Sequence, residues 1–132
     1  MTSDQDNTDA AVIRFIIDQI ESVPHLEALL LLRDTRPQKW TISDLSKRLY
    51  ISREAARGLL DDLVRRNLIH RDSEASTYFY AAASEDQDQL LGLVDETYRR
   101  QLVRISQLIH SKPSAAVRDF ARAFRFTKKE ET

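Results

Sequence analysis

The stretch from Trp40 to Tyr80 constrains the fold of this chain more than any other. It holds two amphipathic segments with a capping serine between them, followed by two short alternating runs. Trp40-Thr41-Ile42 predicts a short strand. Ser43 stands before Asp44 and Leu45 as an N-cap with an acid in the first turn, which predicts a helix to about Leu49. Ser52 caps a second helix over residues 53–66, where Ala56, Leu60 and Leu63 share an inner face flanked by Leu59 and Val64. Asn67 follows at the position where a left-handed residue ends a helix, a place Asn takes when Gly does not. Residues 68–71 and 77–80 alternate and are joined by Asp-Ser-Glu-Ala-Ser, which predicts a two-stranded hairpin with one buried face.

Helical segments flank this unit. Val12, Ile13, Ile16, Ile17 and Ile20 recur at helical spacing, and Phe15 widens the stripe. Pro24 ends that helix and suits the first turn of the next, His25 to about Arg33. There Leu26, Leu29, Leu30, Leu31 and Leu32 leave only Glu27 and Ala28 as breaks, and a helix apolar most of the way round must be covered on two sides. Ser84 with Glu85, Asp86 and Asp88 opens a long helix to about His110, with the stripe Leu91, Val94, Tyr98, Leu102, Ile105 and Ile109. Pro113 ends it. A last helix runs to about Phe126, with Val117, Phe120 and Phe124 on one side and Arg118, Arg122, Arg125 and Lys129 beside them. The expected organisation is a disordered tail (1–8), an N-terminal packing helix (9–23), a central domain (24–83), a C-terminal helical region (84–127) and a short tail (128–132). The class is mainly α with a small β-wing, a winged helix-turn-helix core between N- and C-terminal helices.

Composition narrows the function. The chain has 132 residues and no cysteine, so it carries neither a disulfide nor a thiolate metal site, which fits a cytoplasmic protein. Its longest apolar run, Ala28 to Leu32, is far too short to span a bilayer. With 2 glycines in the whole chain, phosphate-cradling loops have no material. Neither a nucleophile elbow nor a spaced acid pair is present, and His25, His70 and His110 share no ligand spacing. No enzyme, cofactor or metal is expected. Net charge is −1, but residues 24–80 hold ten basic and eight acidic groups against one and five in residues 1–23. The central unit is therefore mildly basic, a distribution that suits a DNA reader or a protein-binding module.

From Thr41 to Arg71 the sequence resembles winged helix-turn-helix transcriptional regulators, most nearly those of the MarR type. The matching pieces are Leu45, Leu49, Ile51 and Ser52 at the turn, Ala56, Leu60 and Leu63 in the second helix, and Asn67-Leu68-Ile69 at its exit. Asn67 replaces the family's usual Gly, and the hairpin lacks the Gly and the Lys/Arg cluster common in such wings. The resemblance implies a dimeric DNA-binding regulator whose helix 53–66 enters the major groove. It would present Ser52, Arg53, Glu54, Arg57, Gly58 and Asp61 to the groove, with Arg71 at the hairpin base toward the DNA backbone and Arg48 on the same positive face. Arg53 and Arg57 can bond guanine bidentately or bind phosphate, Glu54 can accept from cytosine, and Ser52 can bond phosphate. Asp61 and Asp62 would repel phosphates. The alternatives at these positions are surface pairing of Arg57 with Asp61 and helix packing at Gly58. Tyr78, Phe79 and Tyr80 read as hairpin core rather than a stacking platform. Homodimerisation is expected through residues 9–21 and 84–110, whose apolar stripes exceed what a small core can cover. The rival is a winged-helix protein-interaction module that meets a protein partner and no DNA.

Overall fold

The computed structural model describes residues 2–112, with side chains from residue 8 onward. In chain order it contains α1 (Thr2–Gln19), α2 (Val23–Asp34), α3 (Ile42–Leu49), α4 (Arg53–Arg65), β1 (His70–Asp72), β2 (Thr77–Phe79), α5 (Glu85–Arg100) and α6 (Leu102–Ser111). The last expected helix and its basic stripe, residues 114–126, lie outside the described residues.

Four of these helices begin on a hydroxyl side chain that accepts a backbone N–H. Ser22 accepts from His25, Thr41 from Asp44, Ser52 from Ala55 and Ser84 from Gln87, at 3.0 to 3.3 Å. Each satisfies one of the donors a helix start leaves open. α4 ends on a Schellman motif. Asn67 takes φ 61°, its N–H donates to Val64 O, and the N–H of Leu68 donates to Leu63 O.

Besides the hairpin, whose first strand begins at His70 rather than Leu68, three boundaries differ from expectation. The segment Trp40–Ile42 is not a strand. Trp40 alone pairs with Tyr78, N–H to carbonyl in both directions at 2.8 Å. Thr41 rather than Ser43 caps the next helix, because its Oγ1 reaches the N–H of Asp44 and draws Ile42 into the first turn. The second difference is at Gln101 (φ −128°, ψ 48°), which breaks the long C-terminal helix into α5 and α6. Thirdly, α1 starts at Thr2 rather than Asp9.

The break at Gln101 changes how the apolar stripes are covered. α5 packs against α1, and α6 packs against α1, α2 and α5. Val12, Phe15 and Ile16 of α1, with Ile20 just past its end, thus share one core with Leu91, Val94, Tyr98, Ile105 and Ile109. The same core takes in Leu26, Leu29, Leu30 and Leu32 of α2, so α2 is covered from both sides as its composition requires. One chain absorbs most of the apolar surface that was expected to need a second. Among the described residues the most exposed aliphatic side chains are Val103 (67%) and Leu102 (52%) at the elbow, followed by Leu93 of α5 (38%).

The hairpin is antiparallel, with His70, Arg71 and Asp72 opposite Phe79, Tyr78 and Thr77. Tyr78 is buried and belongs to the core, as expected for a hairpin residue. Arg33 and Arg36 both bond the Oδ1 of Asp88, which also accepts from the Tyr80 hydroxyl at 2.7 Å. This cluster joins the end of α2, the exit of the hairpin and the start of α5. Burial, followed by the bond to Asp88, pushes the Tyr80 phenol up to about 12.

Candidate nucleic-acid interface

α4 lies on α2 and α3 through its inner face, since Ala56, Leu60 and Leu63 are fully buried. The helical period then leaves Arg53, Glu54, Arg57 and Gly58 on the outside, and all four are exposed. The structure divides them between two hollows. Arg53, Glu54 and Arg57 line a concavity of about 390 Å³ with Ile42, on the α3 side of the helix. Gly58 lines a cleft of about 440 Å³ on the opposite side with Ser22, His25, Ala55, Leu59 and Asp62. The expected set is therefore not one patch: Arg53, Glu54 and Arg57 belong together, and Gly58 faces elsewhere. Ser52 is exposed at the head of α4, and its Oγ accepts from Ala55 while keeping its own proton to donate. Arg48 is exposed on α3. Arg71 lies on the hairpin with its guanidinium 5.8 Å from the centre of the Tyr78 ring, a cation–π distance.

Gly58 does not serve helix packing, because a Cβ built there meets nothing within 4 Å. Close packing occurs instead at Gly92, where an added Cβ would stand 3.1 Å from the Arg33 guanidinium. Glycine inside a helix costs about 1 kcal/mol relative to alanine. Gly58→Ala is accordingly expected to raise the stability of the fold by about 1 kcal/mol in urea melts. A loss would show that the outer face of α4 is more crowded than its geometry indicates.

The two acids expected to repel phosphate are both engaged. Asp61 accepts from the Tyr78 hydroxyl at 2.8 Å, which ties the hairpin to α4. Burial first, and then this bond, raises the Tyr78 phenol above its ordinary range. Asp62 pairs with Arg65 at 2.6 Å and with His25 Nε2 at 3.0 Å, and Arg66 stands 3.6 Å away. The other ring nitrogen of His25 lies 2.6 Å from Ser22 Oγ. A carboxylate only accepts, so Nε2 carries the proton and Nδ1 accepts from the serine. Burial holds the pKa of His25 below 6.5 although Asp62 pulls it the other way. This chain of bonds fixes the α1–α2 turn to α4.

The cations divide in the same manner. Arg33, Arg36, Lys39, Arg65, Arg66 and Arg99 each stand in an ion pair. Among the described residues, Lys47 and Arg48 of α3, Arg53 and Arg57 of α4, and Arg71 of the hairpin have no carboxylate partner. The same holds for Arg14, Arg100 and Arg104 on α1, α5 and α6. The alternative pairing of Arg57 with Asp61 does not form, since Asp61 is bonded to Tyr78 instead. Lys47 was not singled out from sequence, although its place beside Arg48 was visible there.

No protein-family model matches the sequence, and no curated protein matches it either. Solved structures do resemble it. A MarR family protein from Bacillus stearothermophilus superposes with a TM-score of 0.50 at 19% identity, covering 98% of this chain and 89% of that one. BpsR of Bordetella bronchiseptica, whose DNA binding is regulated by 6-hydroxynicotinic acid, gives 0.48 at 19% identity over 97% and 88%. The adhesin competence repressor of Streptococcus pyogenes gives 0.47 at 22% identity over 98% and 96%. The first of these, with the element order above, shows that the chain has the MarR-type winged-helix fold. Among the described residues, no helix is long and apolar enough to cross a membrane.

Proposed function

We propose that this chain is a DNA-binding regulator of transcription, with α4 as the helix that enters the major groove. The observation that carries the reading is the set of uncommitted cations on the helix-turn-helix. Lys47, Arg48, Arg53 and Arg57 lie exposed within two consecutive helices; of the four acids there, Asp61 and Asp62 are held by Tyr78, His25 and Arg65, and Asp44 and Glu54 are exposed. A net charge of −1 gives no overall attraction for DNA. A local cluster of unpaired cations still releases counterions when it meets phosphate, and that is the larger part of non-specific DNA affinity. Arg53 and Arg57 stand one turn apart on one face, so both guanidiniums address the same stretch of groove. Glu54 between them suits a cytosine amino group.

In this reading two copies pair about a two-fold axis and set two α4 helices for half-sites about one helical turn apart. Leu102 and Val103, exposed at the α5–α6 elbow, supply apolar surface for the contact. Light scattering is expected to give twice the 15.3 kDa chain mass. A single-chain mass at micromolar concentration refutes the pairing.

The function is tested by titrating random-sequence duplex DNA at two salt concentrations. Affinity is expected to fall steeply with salt, with a log–log slope of about −0.9 per phosphate contacted. Failure to bind any duplex at low salt removes the DNA reading and leaves α4 as a protein-binding surface.

A further inference from the structure

We propose that the Tyr50 phenol is a neutral phosphate anchor, a DNA contact in the turn between α3 and α4. The inference rests on the DNA reading and adds a residue outside the set expected from sequence. Tyr50 is 94% exposed, the most exposed large hydrophobic side chain among the described residues. No partner for its hydroxyl occurs among them. Its backbone is also unusual, with φ 56° and ψ 44°, in the left-handed region. A left-handed conformation costs a non-glycine residue about 1–2 kcal/mol, and a turn of this kind commonly uses glycine.

The conformation is imposed by Ser46, which is buried. Its carbonyl accepts the N–H groups of Tyr50 and Ile51, and its hydroxyl donates to Ile51 O at 2.6 Å. The fold therefore needs a left-handed residue here, and glycine would meet the need at lower cost. A tyrosine held there in solvent makes no contribution to the core. Its value must come from something that approaches the turn from outside.

The chemistry around it names that something. Lys47, Arg48 and Arg53 are the nearest charged residues in sequence, all cationic and all without a carboxylate partner among the described residues. When a recognition helix enters the groove by its N-terminus and the preceding helix crosses the backbone, the turn between them stands at the groove wall. Phosphate oxygens line that wall, and tyrosine hydroxyls are among their usual donors. A phenol differs from the neighbouring cations in one measurable respect. It adds a hydrogen bond but releases no counterion.

Tyr50→Phe, Tyr50→Gly and the unaltered chain are compared on duplex DNA across a salt series. Tyr50→Phe is expected to weaken binding about three- to tenfold, the net size of one ordinary solvent-exposed hydrogen bond. The loss should be equal on every sequence, with the log–log salt slope unchanged. Tyr50→Gly is expected to weaken binding at least as much while raising Tm by a few degrees, because it removes the left-handed strain. That combination excludes misfolding as the cause of lost affinity. Unchanged affinity of Tyr50→Phe, or a salt slope reduced by about one unit, overturns the anchor while the DNA reading stands. If the unaltered chain binds no duplex, the DNA reading itself falls, and the anchor with it.

Discussion

Leu60→Ala is expected to lower the stability of the fold by about 2–5 kcal/mol, read as a shift of the urea midpoint. Leu60 is fully buried on the inner face of α4, in the core shared with α2, α3 and the hairpin. Removing three heavy atoms there loses their transfer free energy and leaves a cavity that the surrounding helices fill only in part. A domain of this size has roughly 5–15 kcal/mol in total, so the loss is a large fraction of it. The change lies one helical face away from Gly58, where adding a single carbon is expected to stabilise. Opposite signs at positions 58 and 60 measure the rotation of α4 directly. A loss below about 1 kcal/mol at Leu60 means that the helix faces another way and that Arg57 is not on the outside.

The core of the motif was legible because its signals are local. Ser52 as N-cap, the 56–60–63 spacing and Asn67 at the exit all act within one helix, and the structure places each as expected. Trp40–Ile42 misled because Trp40 pairs with Tyr78, a partner far along the chain, while Thr41 has a cap to make within three residues. The break at Gln101 left no mark in sequence, since neither Gly nor Pro stands near it. Continuous helical spacing through residues 91–109 is kept on both sides of the break. The five stripe residues other than Leu102 are all buried, so the pattern reports which residues face the core and not whether one axis carries them.

The exposed face of the candidate site was legible by subtraction. Once Ala56, Leu60 and Leu63 are turned inward, Arg53, Glu54 and Arg57 have nowhere to point but out. The commitments of the acids were not legible. Asp61 finds Tyr78 seventeen positions away, and Asp62 finds His25 on a different helix. Two carboxylates that looked hostile to phosphate in a linear reading prove to be the fixtures that hold the hairpin and the α1–α2 turn on α4. Tyr50 is equally unmarked in the sequence. A tyrosine before Ile51-Ser52 looks like any turn residue until the backbone shows it left-handed and the surface shows it bare.

Arg53→Ala with Arg57→Ala is expected to weaken duplex DNA binding by about a hundredfold or more at low salt, and to make the salt slope shallower by up to about two units. Neither guanidinium has a carboxylate partner among the described residues, and both are exposed, so their removal should leave thermal stability within about 0.5 kcal/mol. The defect therefore lands on binding alone. The two single variants separate their roles. A residue that reads a base loses affinity for its preferred site by roughly 1–3 kcal/mol and relaxes preference at one position, whereas a phosphate contact loses affinity uniformly. Arg57 lies deeper along the exposed face than Arg53, which is the first residue of the helix. Arg57→Ala is thus expected to relax base preference, and Arg53→Ala to weaken all sequences alike. The two positions are close enough to couple, so the double loss need not equal the sum of the single losses. A double variant that binds as tightly as the unaltered chain, with the same salt slope, removes α4 from the interface.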